Sequence, residues 1–299
     1  MTRALLLVPA LWLALSGCLA FHRGPMPGEP KGASYVELNG TRVRYEDVGE
    51  GPPVVLVHGF ASSLETWLAV TPALKGQHRV ISLDLKGFGW TDRPDGDYSP
   101  AAQAALVFAL MDHLGVQKAA VVGHSWGASV VLRMALEQPE RVTRLALYDA
   151  WVYEEQVPAF FIWARAGGLG EALFQAFYDE RPAEKMANAF YDASLMNEAL
   201  VEDVERALQR PGTKAAALAA VRGQVYAEVQ KRYRTLKQPA LLLWGENDRV
   251  TPVTVGERLH LDLPNSQLVR YPRCGHFPML EAAPQSTATL RRFLSEGAP

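Results

Sequence analysis

Only two of the 299 residues are cysteines, Cys18 and Cys274. A disulfide framework of the kind that staples small secreted domains is thereby excluded. Charge of one sign is not in excess either. The formal net charge is −2, which leaves no electrostatic case for nucleic acid. The N-terminal apolar run, Ala4 to Leu15, is too short for a membrane span, which needs about 20 residues. Internal repeats, low-complexity blocks, an H-E-x-x-H string, paired cysteines and a phosphate-cradling glycine loop followed by lysine are all missing, so the sequence calls for no metal and no cofactor. What remains is ordinary globular composition, 48% hydrophobic, at a length that suits one large α/β domain or one domain with an insertion.

Apolar runs and turn signals set the order of elements. Tyr35–Leu38, Asn39-Gly40 and Thr41–Tyr45 read as a hairpin with a tight turn. Val54–Val57, Val80–Asp84, Lys118–Val122, Leu145–Tyr148, Ala240–Trp244 and Gln267–Tyr271 read as strands, mostly continuous apolar runs of the kind buried on both faces. Helices are expected over 63–74, 99–114, 128–136 and 282–294, with Ser99 as a cap and Pro100 at the first helical position. Strand alternating with helix implies a mostly parallel sheet flanked by helices, an α/β fold. From 151 to 235 this rhythm breaks. That stretch has helical segments and many aromatics, and it reads as a helical cap inserted between core segments 34–150 and 236–299. Most of its aromatics are expected in core, and a minority under the cap, lining an apolar pocket.

The first 33 residues are of another kind. Arg3, the short apolar run and the small residues Ser16-Gly17 describe a secretory signal over 1–17. Leu15-Ser16-Gly17-Cys18 resembles a bacterial lipobox, in which cleavage leaves Cys18 as a lipidated first residue. Leu19 follows in place of the aspartate that favours inner-membrane retention, so an outer membrane is the expected destination where one exists. The competing reading is an ordinary signal, giving a secreted or periplasmic protein. Residues 18–33 are rich in Pro and Gly and read as a flexible tether with a root-mean-square reach of about 20 Å. With Cys18 acylated, Cys274 has no partner. Two residues from His276 it is a possible thiol nucleophile, but reads as a small buried filler.

Gly123-His124-Ser125-Trp126-Gly127 is the most informative stretch. It reads G-x-S-x-G between a strand and a helix, the context that holds a serine out on a strained turn. A serine hydroxyl needs a base within reach, and the base needs an orienting carboxylate. His276, in Gly275-His276-Phe277-Pro278, directly follows the last strand. Asp248, in Gly245-Glu246-Asn247-Asp248, follows the strand before it. Asp149, at the end of the strand preceding the cap, competes for the acid's role, and Glu246 is a lesser rival. Backbone N–H groups of Phe60, after Val57-His58-Gly59, and of Trp126 are candidates for an oxyanion hole.

With Asp84-Leu85-Lys86-Gly87-Phe88-Gly89-Trp90-Thr91-Asp92 added, these motifs resemble the α/β-hydrolases with a helical cap over nearly all of 35–295. The resemblance implies a Ser125, Asp248, His276 triad, a mainly structural Asp84, and a small-molecule acyl substrate of apolar character. The Gly-His-x-Trp-Gly string is also similar to the elbow of haloalkane dehalogenases and epoxide hydrolases, whose nucleophile is aspartate. Serine departs from that pattern: water would have to break an unactivated ether. A serine favours attack on a carbonyl, so the Trp126 ring reads as pocket wall. Carboxylic esters are the leading substrate class. An amide, a lactone or a carbon–carbon bond beside a ketone is the enzymatic alternative. A silent surface protein binding apolar ligands is the non-enzymatic one.

Overall fold

A computed structural model describes residues 19–179, 182–196 and 198–295. Eight strands form one sheet in the order β1-β2-β4-β3-β5-β6-β7-β8. They are β1 (Ser34–Leu38), β2 (Thr41–Val48), β3 (Pro53–Val57), β4 (Arg79–Leu83), β5 (Ala119–His124), β6 (Val142–Tyr148), β7 (Ala240–Gly245) and β8 (Ser266–Tyr271). The first two pair antiparallel, as do β2 and β4, and every other pairing is parallel. Asn39 and Gly40 both take positive φ, 49° and 72°, which closes the predicted hairpin with the twist the strands need.

Alternate residues of the central strands feed two cores. Val55 and Val57 of β3 join one cluster and Val54 and Leu56 the other. Leu242 and Trp244 of β7 divide from Leu241 and Leu243 in the same way. Both faces are therefore covered, which is why these strands read as unbroken apolar runs. Helices α1 (Pro100–His113) and α2 (Trp126–Glu137) pack together, and Ser99 Oγ accepts from Ala102 N at 3.3 Å as the expected cap. Between β6 and β7 come helices α3 (Ala159–Ala164), α4 (Leu169–Phe177), α5 (Pro182–Ala189), α6 (Glu198–Leu208) and α7 (Thr213–Arg222), with no strand among the described residues. Helices α8 (Val253–Asp262) and α9 (Ala283–Ser295) flank the last strands.

Two expectations need correction. The helix expected over 63–74 is broken into short turns at Leu64–Trp67 and Thr71–Leu74. Pro72 has no N–H and suits only a first helical turn, so a new turn starts there. The supposed tether, over its described part 19–33, is laid against the core. His22 and Arg93 exchange backbone hydrogen bonds of 2.9 and 2.8 Å, and Gly24 N donates to Asp92 Oδ2 at 3.0 Å. Met26 is buried, Phe21 stacks on Tyr98, and Glu29 pairs with Arg42. Pro and Gly here mark turns that follow a surface. Cys18 and the leader lie outside the described residues. No helix among the described residues is long and apolar enough to cross a membrane.

Candidate active site

Parallel strands deliver their C-terminal ends to one edge of the sheet, and the candidate residues collect there. Ser125 joins β5 to α2 at φ 51°, ψ −122°, a region that non-glycine residues enter only under constraint. The constraint is visible. Ser125 N donates to Tyr148 O at 2.9 Å, and its carbonyl accepts from Ala128 N and Trp151 N, both at 3.0 Å. The turn is also crowded. A methyl on Gly127 would lie 2.5 Å from Val57 O and closer still to His58 O. Glycine at that position lets α2 start against the loop that follows β3.

That loop carries the second oxyanion candidate. His58 Nε2 accepts from Leu85 N at 2.9 Å, so its Nδ1–H is the donor to Gly59 O at 2.7 Å. Burial holds the ring neutral, its pKa lowered to about 4. His58 thus ties the β3 loop to the β4 loop. Ala61, just beyond, sits at φ 56°. Among the described hydrogen bonds the backbone N–H groups of Phe60 and Trp126 have no protein acceptor. Two uncommitted donors beside a candidate nucleophile are what a tetrahedral oxyanion requires. Asp84 holds the framework. Its carboxylate accepts from Leu64 N and Trp90 N, each at 2.8 Å, and burial raises its pKa to about 6.

The candidate acid and base are in contact. His276 Nδ1 lies 2.7 Å from Asp248 Oδ2. Asp248 is saturated: Oδ1 accepts from Val250 N (2.7 Å) and Thr251 N (3.0 Å), and Oδ2 also accepts from Thr251 Oγ1 (2.6 Å). Burial pushes its pKa up, but the charge and hydrogen bond of His276 and the Thr251 donors outweigh burial and hold it below the usual range. Ser125 Oγ makes no hydrogen bond to His276 in this structure. The two are linked through a neighbour, since His124 Nε2 lies 2.9 Å from His276 O. Burial, and then the neighbouring His276, lower the His124 pKa to about 3 and keep it uncharged.

The rivals fall differently. Glu246 is exposed. Asp149 is fully buried and adjacent: oxygen and nitrogen atoms of Asp149, Asp248 and His276 all lie within 4.8 Å of one another. Its Oδ1 accepts from Gly245 N at 2.9 Å, and Oδ2 meets no N–H or O–H donor. Burial, followed by the Asp248 charge, raises its pKa well above the ordinary value. Of the two neighbouring carboxyls, buried Asp149 is the one pushed toward its protonated form, while Asp248, which gathers the donors, is held toward its ionised form. Asp149 sits at φ 42°, a second strained residue at the same edge. Cys274 is buried and its thiol pKa is pushed up by that burial, which suits a filler and not a nucleophile.

Sequence reasoning missed Thr251 and Glu281. Asp-x-x-Thr, with Thr251 three residues after Asp248, is a local capping pattern that could have flagged the first. Glu281 Oε1 accepts from Gly275 N at 3.0 Å and Oε2 from Tyr191 N at 2.7 Å, pinning the histidine loop to the cap. Ala189 O, at the end of α5, accepts from His276 N at 2.7 Å. No sequence signal marks a contact of that range. Trp126 is buried and meets Phe60 and Phe88 at ring distances of 6.0 and 5.6 Å, and Phe161 of α3 closes on Phe60 at 5.5 Å. These four rings pack together beside the elbow turn.

An eight-stranded sheet with a strained serine between strand and helix, a hydrogen-bonded aspartate and histidine after the last two strands, and helices inserted between β6 and β7 defines a hydrolase of the α/β class. The chain belongs to the alpha/beta hydrolase fold family, whose sequence profile matches residues 52–283. It is 31% identical over 271 residues to a 2-hydroxy-6-oxo-2,4-heptadienoate hydrolase of Pseudomonas putida, covering 82% of this chain and 90% of the relative. A meta-cleavage product hydrolase of Pseudomonas fluorescens superposes with a TM-score of 0.75 at 27% identity, over 88% of this chain and 97% of that one. A thermophilic esterase from Thermogutta terrifontis does so with a TM-score of 0.73 at 26% identity, over 88% and 97%.

Proposed function

We propose that the protein is a serine hydrolase of carboxylic esters, acting through an acyl-enzyme. The supporting observation is the placement of Ser125 on a strained elbow beside two N–H groups without acceptors, with His276 held by Asp248. Ser125 Oγ attacks the ester carbonyl carbon as its proton passes to His276 Nε2. Asp248 keeps Nδ1 protonated and stabilises the imidazolium. The carbonyl oxygen, now an anion, accepts from Phe60 N–H and Trp126 N–H. Collapse expels the alcohol, which takes the proton from His276. Water, deprotonated by the same histidine, then attacks the acyl-Ser125 carbonyl and releases the acid.

A second reading is cleavage of a carbon–carbon bond beside a ketone, favoured by the similarity to the heptadienoate hydrolase. The same serine and histidine serve it. Assay of p-nitrophenyl esters of graded chain length beside a 2-hydroxy-6-oxo-dienoate separates the two. Ester turnover, lost in Ser125→Ala together with labelling by a serine-directed phosphonate, supports the proposal. Turnover of the dienoate alone replaces the ester reading, and phosphonate labelling unchanged in Ser125→Ala removes the mechanism.

A further inference from the structure

Helix α3 has apolar residues on two sides. Inward, Phe161 packs on Phe60 over the elbow, and Phe160 stacks on Phe174 of α4 at 5.7 Å. Outward, Ile162 and Trp163 are 49% and 60% exposed. Leu169 and Phe177 of α4 add 39% and 50%. From Pro158 to Phe177 every exposed residue is uncharged. The two charged residues of that stretch, Arg165 and Glu171, are partly buried and turned into ion pairs with Glu154 (3.0 Å) and Arg222 (2.9 Å). A helix that is apolar all round is covered by something on each side, and a contiguous exposed apolar patch marks an interaction surface.

The chain's N-terminal end indicates what covers it. Leu19 packs against the cap cluster of Ala164, Phe174, Leu218 and Val221. With Phe21 it lines a cleft of about 730 Å³ together with Gly168 and Glu171, at the foot of α4. Cys18, where the sequence calls for a lipid, precedes Leu19 by one peptide bond. Because residues 19–33 are fixed to the core, an acyl group on Cys18 would have no leash and would enter a bilayer close to the start of α4, where Asp95 and Asp97 also edge the cleft. A tryptophan at the rim of an otherwise uncharged apolar face suits the boundary between headgroups and acyl chains.

We infer that the outer face of α3 and α4 is a docking surface for a lipid bilayer, orienting the cap toward the membrane. It uses apolar contact and not charge, so added salt leaves it intact. The test uses the full chain, purified and reconstituted into phosphatidylethanolamine–phosphatidylglycerol vesicles. Trp163→Cys, Phe177→Cys and, on α8, Leu261→Cys are each labelled with an environment-sensitive fluorophore; Leu261 is 79% exposed and serves as the control. A blue shift at 163 and 177, quenched by brominated acyl chains and absent at 261, is expected. Alongside, the triple variant Ile162→Ser, Trp163→Ser, Phe177→Ser in a Cys18→Ser background should lose vesicle partitioning by about tenfold or more relative to Cys18→Ser alone. Hydrolysis of a small soluble ester should be unchanged. Equal response at all three sites, no response at 163, or a response that follows protein concentration without lipid and so reports a second copy of the chain, overturns the inference.

Discussion

Replacing Asp149 by asparagine tests whether its carboxyl is the neutral member of the pair. Asparagine keeps the shape, offers Gly245 N the same acceptor, and stays uncharged at every pH beside Asp248. The hydrogen-bond exchange should cost less than about 1 kcal/mol, hence less than about fivefold in kcat. Stability separates more clearly. A raised folded-state pKa means that the native protein keeps a proton the unfolded chain has already released. The contribution of Asp149 is therefore fully present below its ordinary pKa of 3.8 and is lost as pH rises toward its native value. Across that window wild type should lose about 1.4 kcal/mol per pH unit relative to Asp149→Asn. For a chain of this size that is about 3 °C in melting midpoint per unit. Parallel melts from pH 4 upward read the gap directly. A gap that does not widen with pH, or a rate loss in Asp149→Asn equal to that of Asp248→Asn, refutes the neutral assignment.

Other expectations follow from the same geometry. Asp248→Asn should lower ester kcat by about 10³–10⁴ through loss of the correct His276 tautomer, measured with substrate in saturation. Gly127→Ala should destabilise the fold by about 3 kcal/mol or more, because its methyl meets Val57 O and His58 O; urea unfolding checks this. Cys18→Ser, expressed with the native leader, should move the protein from the membrane to the soluble fraction and remove acyl mass from its N-terminus.

Much of the sheet could be read from sequence because its strands are buried on both faces and short-range turns delimit them. The Asn39-Gly40 hairpin and the Ser99-Pro100 helix start are local signals and appear where local chemistry puts them. Ser125, Asp248 and His276 were legible as candidates because each lies in a short motif close behind a strand end. Residues 19–33 were misread because proline and glycine report backbone preference and not destination. The burial of Met26 depends on Arg93, 67 positions away. Nor could the sequence show that Asp149 and Asp248, alike in type and equally strand-terminal, would differ in charge. That difference arises from which one gathers donors.

The hydrogen bond from His276 N to Ala189 O fastens the proposed base to the inserted helices. A cap that swings as a rigid plate would pull on the histidine loop through this bond and through Glu281. Admission of substrate and readiness of the base are thus mechanically exclusive in one respect: a gate lifted at α5 is a catalyst disarmed.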